Sequence, residues 1–229
     1  TLSFFKHIPN LFTIFNLLIG VLGIINVFDG NYQNTLYFIM IAGVFDFFDG
    51  FTAKLLNNTS LFGKELDSLA DMVTFGVLPG LFLYKWTFLM PDNLYWLPYS
   101  PAAIPIFAAL RLAKFNLDAT KNDSFIGLPT PAAALLSVTI VEIPFFISWI
   151  YFIPFYSLTV SLLLIVPVKM ISFKFKSIIL KGNELRYVTI LLMLTGLALF
   201  QRNFLPFTVP IYIIFSLLSN IPSVRKIIG

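Results

Sequence analysis

Eight apolar runs of membrane-spanning length fill this chain from end to end and leave little sequence for anything else. They fall at about 9–28, 34–56, 64–89, 98–117, 129–149, 153–171, 185–201 and 205–222. The fold they predict is all-α: a polytopic integral membrane protein with about eight transmembrane helices. No polar stretch between them is long enough for a soluble domain, so residues 1–229 are expected to form a single membrane domain. Composition agrees, because 58% hydrophobic and 11% charged residues, with a mean hydropathy of +0.89, cannot clothe a soluble body of this size. The 27 phenylalanines against three tryptophans place most aromatic mass against lipid or neighbouring helices rather than in interfacial belts alone. Asn57-Asn58-Thr59-Ser60 reads as a helix stop and restart, and Pro91-Asp92-Asn93 and the 98–105 stretch are similar punctuation. The first run follows Lys6 but is too long for a signal peptide and lacks a small-residue cleavage pattern, so it is expected to be retained as a span.

Basic residues set the orientation. With the N-terminus in the cytoplasm, Lys6, Lys54, Lys64, Arg111, Lys114, Lys121, Lys169, Lys174, Lys176, Lys181, Arg186, Arg225 and Lys226 all fall at cytoplasmic helix ends. Only Lys85 and Arg202 fall near the other side. A net charge of +4 spread over helix ends fits anionic headgroups and topology and argues against a nucleic-acid partner. Short loops and the absence of an organelle-targeting segment point to the plasma (inner) membrane of a prokaryote.

Against this background the stretch FDFFDGFTAKLLNNTSLFGKELDSLAD is anomalous, since its four aspartates alone are four of the eleven acidic residues. Asp46 and Asp49 are three apart and Asp67 and Asp71 four apart, so on helices each pair projects from one face. An ionised carboxylate at a helix centre costs roughly 2.5–3.5 kcal/mol on insertion scales, so the cluster needs a compensating partner. Divalent cations are the obvious one. With no cysteine and one histidine, any metal site here is oxygen-ligated. Two other readings compete: a carboxylate network that only ties two helices together, and the ion site of a cation transporter. Against the second, all four acids gather at one membrane face and only Glu142 lies deeper, so no polar path across the bilayer is visible.

The spacing D-x2-D-G-x2-A-K-x8-G-x3-D-x3-D, from Asp46 through Gly50, Ala53, Lys54, Gly63 and Asp67 to Asp71, closely resembles the signature of the CDP-alcohol phosphatidyltransferases. The resemblance implies a two-metal site for Mg2+ or Mn2+ at Asp46, Asp49, Asp67 and Asp71, at the cytoplasmic end of helices two and three. Asp71 would be the catalytic base that takes the alcohol's proton. It also implies substrate contacts at Asp49, Gly50, Ala53, Lys54 and Gly63, and a homodimer; Asn10, Arg111 and Lys114 are further candidate substrate contacts. Two metal ions suit this chemistry, because an alcohol oxygen must approach a phosphorus that already carries negative charge. Where the family usually has arginine this chain has Lys54, which keeps the charge but loses the planar fork for a diphosphate.

Further segments, HIPNLFTIFNLLIG, DSLADMVTFG, RLAKFNLD, FIGLPTPAAALL and PVKMISFKFK, resemble the phosphatidylserine synthase branch of that family. This branch implies CDP-diacylglycerol and L-serine as substrates, with membrane lipids around them. The same chemistry with glycerol 3-phosphate or inositol phosphate as acceptor is the alternative, although a phosphorylated acceptor demands a denser basic pocket than Arg111 and Lys114 supply. Several of these residues have plainer readings as well. Pro9 and Asn10 either start the first helix or also line the nucleotide pocket. Arg111 and Lys114 either anchor a helix end or hold phosphate or the serine carboxylate. The Gly127-Leu128-Pro129-Thr130-Pro131 turn opens helix five, with or without a pocket role. Lys169, Lys174 and Lys176 read as a headgroup-facing surface, His7 as an interfacial residue, and the Asn57 and Asn58 glycosylation patterns as unused in the cytoplasm. Glu142 has no evident cationic partner in the sequence.

Overall fold

A computed structural model describes residues 8–56, 60–88, 97–117, 125–143, 152–173 and 182–221. Each of the eight predicted runs contains a helix: α1 (Ile8–Phe28), α2 (Thr35–Leu55), α3 (Leu61–Phe88), α4 (Ala103–Leu117), α5 (Thr130–Thr139), α6 (Phe152–Ile165), α7 (Glu184–Phe200) and α8 (Leu205–Ser219). By length and composition four stretches of the described residues are candidate membrane spans, namely α1, 32–55 around α2, α3, and Glu184–Ser219 comprising α7 and α8. The remaining helices are shorter. Expectations that rest on Lys6, His7, Asn57 to Thr59, Pro91 to Asn93, Lys121, Lys174, Lys176, Lys181, Arg225 and Lys226 lie outside the described residues.

The bundle is organised around the contact of α1 with α2 and α3. The buried face of α1 is Pro9, Thr13, Asn16, Gly20, Gly23 and Val27, alternating steps of four and three that keep one seam along the helix. It is a seam of mostly small residues, as expected where apolar lipid gives helices no hydrophobic reason to associate and close backbone approach must do so. A Cβ on Gly20 would overlap Thr74, and one on Gly23 would come within 2.7 Å of a Leu78 methyl. α3 uses the same device on its other side, where Gly76 and Gly80 admit Ala108 and Pro105. Phe75, Leu78, Phe82 and Leu83 of α3 form the first core with Val27, Leu36, Ile39 and Ile104. A second core joins α4, α5, α6 and α8 through Ala108, Leu136, Val160, Leu164, Val209 and Tyr212.

α3 is continuous in direction but not in winding. Its first turns, Leu61–Asp71, are capped by Ser60, whose hydroxyl accepts from the Gly63 N–H at 2.9 Å. Directly after Asp71 the residues Met72–Val77 form a π-helical segment before α-helical winding resumes at Leu78. Such segments are rare and gather at functional sites.

Two elements depart from the predicted pattern. The sixth run was expected to be helical to 171, but α6 ends at Ile165, because Pro167 offers no N–H and biases Val166 away from helical geometry. Lys169–Met170 then pairs antiparallel with Phe125–Ile126, so among the described residues the helical fold carries one two-residue β bridge. The fifth run is interrupted within its described residues: α5 gives way to a 3-10 turn, Ile140–Glu142, and Ile143 turns extended ahead of Pro144, while 144–149 of that run lie outside the described residues.

The β bridge sits in a tightly held corner. Gly127, at φ +78°, donates its N–H to the Val168 carbonyl at 2.9 Å, and Leu128 donates to the Leu163 carbonyl at 2.8 Å. α8 secures the other strand: the Tyr212 hydroxyl donates to the Ile171 carbonyl at 2.9 Å, Ser216 Oγ accepts from the Ile171 N–H at 3.1 Å, and Asn220 Nδ2 donates to the Lys169 carbonyl at 2.7 Å. A Cβ at Gly127 would collide with the Leu164 carbonyl. Gly127→Ala therefore combines a left-handed backbone with a clash and is expected to cost about 2–4 kcal/mol, read as a lowered unfolding temperature in detergent.

At the opposite end, Glu142 is not without a partner. Arg202, in the turn Gln201–Phe204 between α7 and α8, places Nη2 2.6 Å and Nε 3.1 Å from Glu142 Oε1. The pair is 60 residues apart in sequence, which no local pattern could expose. Lys85 lies 4.8 Å over the Phe28 ring. Both cations expected on the non-cytoplasmic side thus have a defined contact.

Candidate active site

The four aspartates converge from two helices. Ligand-capable oxygens of Asp46, Asp49 and Asp67 all lie within 4.8 Å of one another. Asp71, one turn along α3, is 8% exposed and within electrostatic range of Asp46 and Asp67. Asp49 is 6% exposed, and Asp67 Oδ1 is buried without a hydrogen-bond partner. Crowded carboxylates with an unsatisfied buried oxygen are unstable company unless a cation joins them, and their donor set is the hard-oxygen one that suits a small divalent ion. The residues fit such an ion.

α1 contributes what the sequence reading passed over. Thr13 Oγ1 donates to Asp49 Oδ2 at 2.9 Å, and Asn16 Nδ2 donates to Asp71 Oδ1 at 3.2 Å. Both are buried, on the small-residue seam. The only signal available was that seam itself, in which two polar residues replace glycine at seven-residue spacing.

The other predicted site residues fall around the cluster. A Cβ on Gly50 would meet nothing within 4 Å, so the space over this turn of α2 is open, while Ala53 lies one turn on and Lys54 is exposed in the last turn. Gly63 and Asn10 are brought together: a Cβ on Gly63 would lie 3.0 Å from Asn10 Oδ1. Arg111 reaches in from α4, with Asp71 and Tyr212 within electrostatic range, and its Nε is buried without a hydrogen-bond partner. Lys114, one turn further, is exposed.

α3 and α4 are also clamped beside the cluster. Lys64 Nζ donates to the Asn116 carbonyl at 2.7 Å, capping the end of α4 where the helix leaves carbonyls unpaired. Asn116 Nδ2 in turn donates to Ser68 Oγ at 3.0 Å and to the Glu65 carboxylate at 3.3 Å. Lys64, expected only as a topology charge, is therefore also a helix cap, and Asn116 gives RLAKFNLD a structural role.

Comparison with known proteins agrees with the arrangement. A family profile described as CDP-alcohol phosphatidyltransferase matches residues 6–200. The chain is similar to the CDP-diacylglycerol–serine O-phosphatidyltransferase of Bacillus subtilis (strain 168), 39% identical over 137 residues, or 58% of this chain and 74% of the relative. It is similar to proteins of the same name from Helicobacter pylori (strain J99), 40% identical over 136 residues, and Methanocaldococcus jannaschii, 38% over 126 residues. These alignments take in 58% and 55% of this chain and 56% of each relative, so the chain spans little more than half the length of those two. Since the matched residues include both aspartate pairs and all helices but the last, the chain belongs to the CDP-alcohol phosphatidyltransferase family.

Proposed function

We propose that this protein is a phosphatidylserine synthase, transferring the phosphatidyl group of CDP-diacylglycerol to the hydroxyl of L-serine with release of CMP. The observation that carries the reading is the convergence of Asp46, Asp49 and Asp67 in a chain that over 58% of its length is 39–40% identical to proteins of that name.

In this reaction the serine oxygen bonds to the lipid-side phosphorus, and the bond from that phosphorus to the oxygen bridging toward CMP breaks. Asp46, Asp49, Asp67 and Asp71 would hold two Mg2+ or Mn2+ ions, which when bound supply charge neutralisation at the diphosphate. Asp71 takes the serine hydroxyl proton, its burial excluding the water that would compete as acceptor. The open turn at Gly50 and Ala53 admits the nucleotide against α2, with Asn10 and Gly63 at its edge and Lys54 near the diphosphate as a point charge. Arg111, whose Nε is buried without a hydrogen-bond partner and which lies within electrostatic range of Asp71, holds the serine carboxylate or a phosphate oxygen, and Lys114 adds long-range attraction for anions.

The same reading places the protein in a prokaryotic plasma (inner) membrane with eight spans, the N-terminus and the aspartate cluster cytoplasmic, and two copies forming the homodimer that the family resemblance implies. Its support is the charge pattern: Lys54, Lys64, Arg111 and Lys114 surround the cluster end of the bundle, while Lys85 and Arg202 lie at the other.

The test is CMP release by the purified protein in detergent, given CDP-diacylglycerol and Mg2+ or Mn2+, with and without L-serine. Serine-dependent CMP together with a phosphatidylserine product is expected. CMP released only with glycerol 3-phosphate or inositol phosphate would overturn the serine assignment while keeping the family chemistry.

A further inference from the structure

We propose that Thr13 and Asn16 are positioning residues, which make α1 a brace setting the separation and orientation of the carboxylates that α2 and α3 bring together. The inference rests on the reading of those carboxylates as a divalent-cation site.

α1 packs on both of the helices that carry the aspartates. Thr13 and Asn16 are three apart on α1 and so occupy one face. Thr13 holds an α2 carboxylate, Asp49 Oδ2 at 2.9 Å, and Asn16 holds an α3 carboxylate, Asp71 Oδ1 at 3.2 Å. With relative exposures of 2% and 0%, neither is a surface residue that happens to touch an acid. The Thr13 hydroxyl could have satisfied itself on its own helix, since the Pro9 carbonyl lies 3.2 Å away, yet its single proton has its shorter contact with Asp49.

Asn16 is held from both sides. Its backbone carbonyl accepts from Thr74 Oγ1 at 3.2 Å, in the π-helical segment that begins directly after Asp71, and Gly20 leaves the room Thr74 needs. The register between α1 and α3 is therefore fixed at the turn where Asp71 projects. Asn16 Oδ1 is buried with no partner. An amide kept in such a place at the expense of one unsatisfied acceptor makes sense if its N–H2 end has a task that an apolar residue could not perform. Tying one oxygen of each carboxylate restricts its rotamer and leaves the second oxygen to offer, which is how groups behind metal ligands act elsewhere.

The test uses Thr13→Val, which keeps the shape and removes the donor, Thr13→Ser, which keeps the hydroxyl, and Asn16→Leu. Binding of Mn2+ to each purified full-length protein, without lipid or serine, is followed by the electron paramagnetic resonance signal of free Mn2+, and unfolding temperature is measured with chelator present. Thr13→Val and Asn16→Leu are expected to weaken Mn2+ binding about 10–100-fold each, with Thr13→Ser close to wild type and metal-free stability unchanged or raised. Folded Thr13→Val that binds Mn2+ within about threefold of wild type overturns the brace. Should Asn16→Leu fail to fold, the contrast between Thr13→Val and Thr13→Ser decides alone. A wild-type protein that binds no Mn2+ would instead remove the cation site, and the brace with it.

Discussion

Replacing Asp71 by asparagine is expected to lower kcat by about 10²–10⁴-fold while CDP-diacylglycerol still binds. The substitution is close to isosteric, and the new side-chain oxygen can still accept from Asn16 Nδ2, so the packing of α1 on α3 survives. What disappears is the negative charge and the capacity to receive a proton at a site only 8% exposed, where solvent cannot deputise. Turnover measured as CMP release, alongside equilibrium binding of a non-reacting CDP-lipid, separates the two contributions. Normal turnover by the variant would remove Asp71 from its role as base. A collapse of CDP-lipid binding as large as the loss of rate would recast it as a binding residue alone.

That experiment rests on residues legible from spacing, and the reason they were legible also explains what was not. Hydrocarbon makes charge costly, so four aspartates within 26 residues of apolar sequence stand out in one dimension. A helix in each of the eight apolar runs was legible for the same reason, from hydropathy, although four stretches of the described residues are long and apolar enough to be candidate spans. The partners of the acids are neutral, and threonine and asparagine in a membrane helix raise no comparable alarm. Thr13 and Asn16 could be recognised only when α1 was seen packed on α2 and α3.

Helix ends were misjudged where proline intervened. The predicted 153–171 run is apolar throughout its first part and hides the break at Pro167, because hydropathy does not register a missing N–H. The π-helical segment after Asp71 was invisible for a different reason. Within it Thr74 meets α1 and Gly76 meets α4, tertiary contacts that no local pattern shows. Glu142 shows the same limit at long range, since its partner Arg202 stands in a turn 60 residues away.

Removing divalent cations is expected to stop turnover and also to destabilise the protein, and the second effect identifies the cause of the first. Three carboxylates whose oxygens lie within 4.8 Å repel one another. At an effective dielectric near 20, two unit charges at that separation cost about 3.5 kcal/mol per pair, so without a cation the group either bears that repulsion or holds protons that a cation must displace. A chain that keeps Asp46, Asp49 and Asp67 together therefore sacrifices stability for function unless cations compensate. Chelation should lower the unfolding temperature of the wild-type protein by several degrees, and adding Mg2+ or Mn2+ should restore both stability and CMP release. Asp67→Asn provides the opposing sign. It takes one ionisable carboxyl out of the group and leaves the buried, unpartnered oxygen position with a neutral side chain, so the metal-free variant should unfold at a higher temperature than the metal-free wild type. It should nevertheless be nearly inactive, and its unfolding temperature should respond little to chelator. A variant less stable than the metal-free wild type would mean that Asp67 serves the fold rather than the cation, and the two-helix carboxylate network would then be structural.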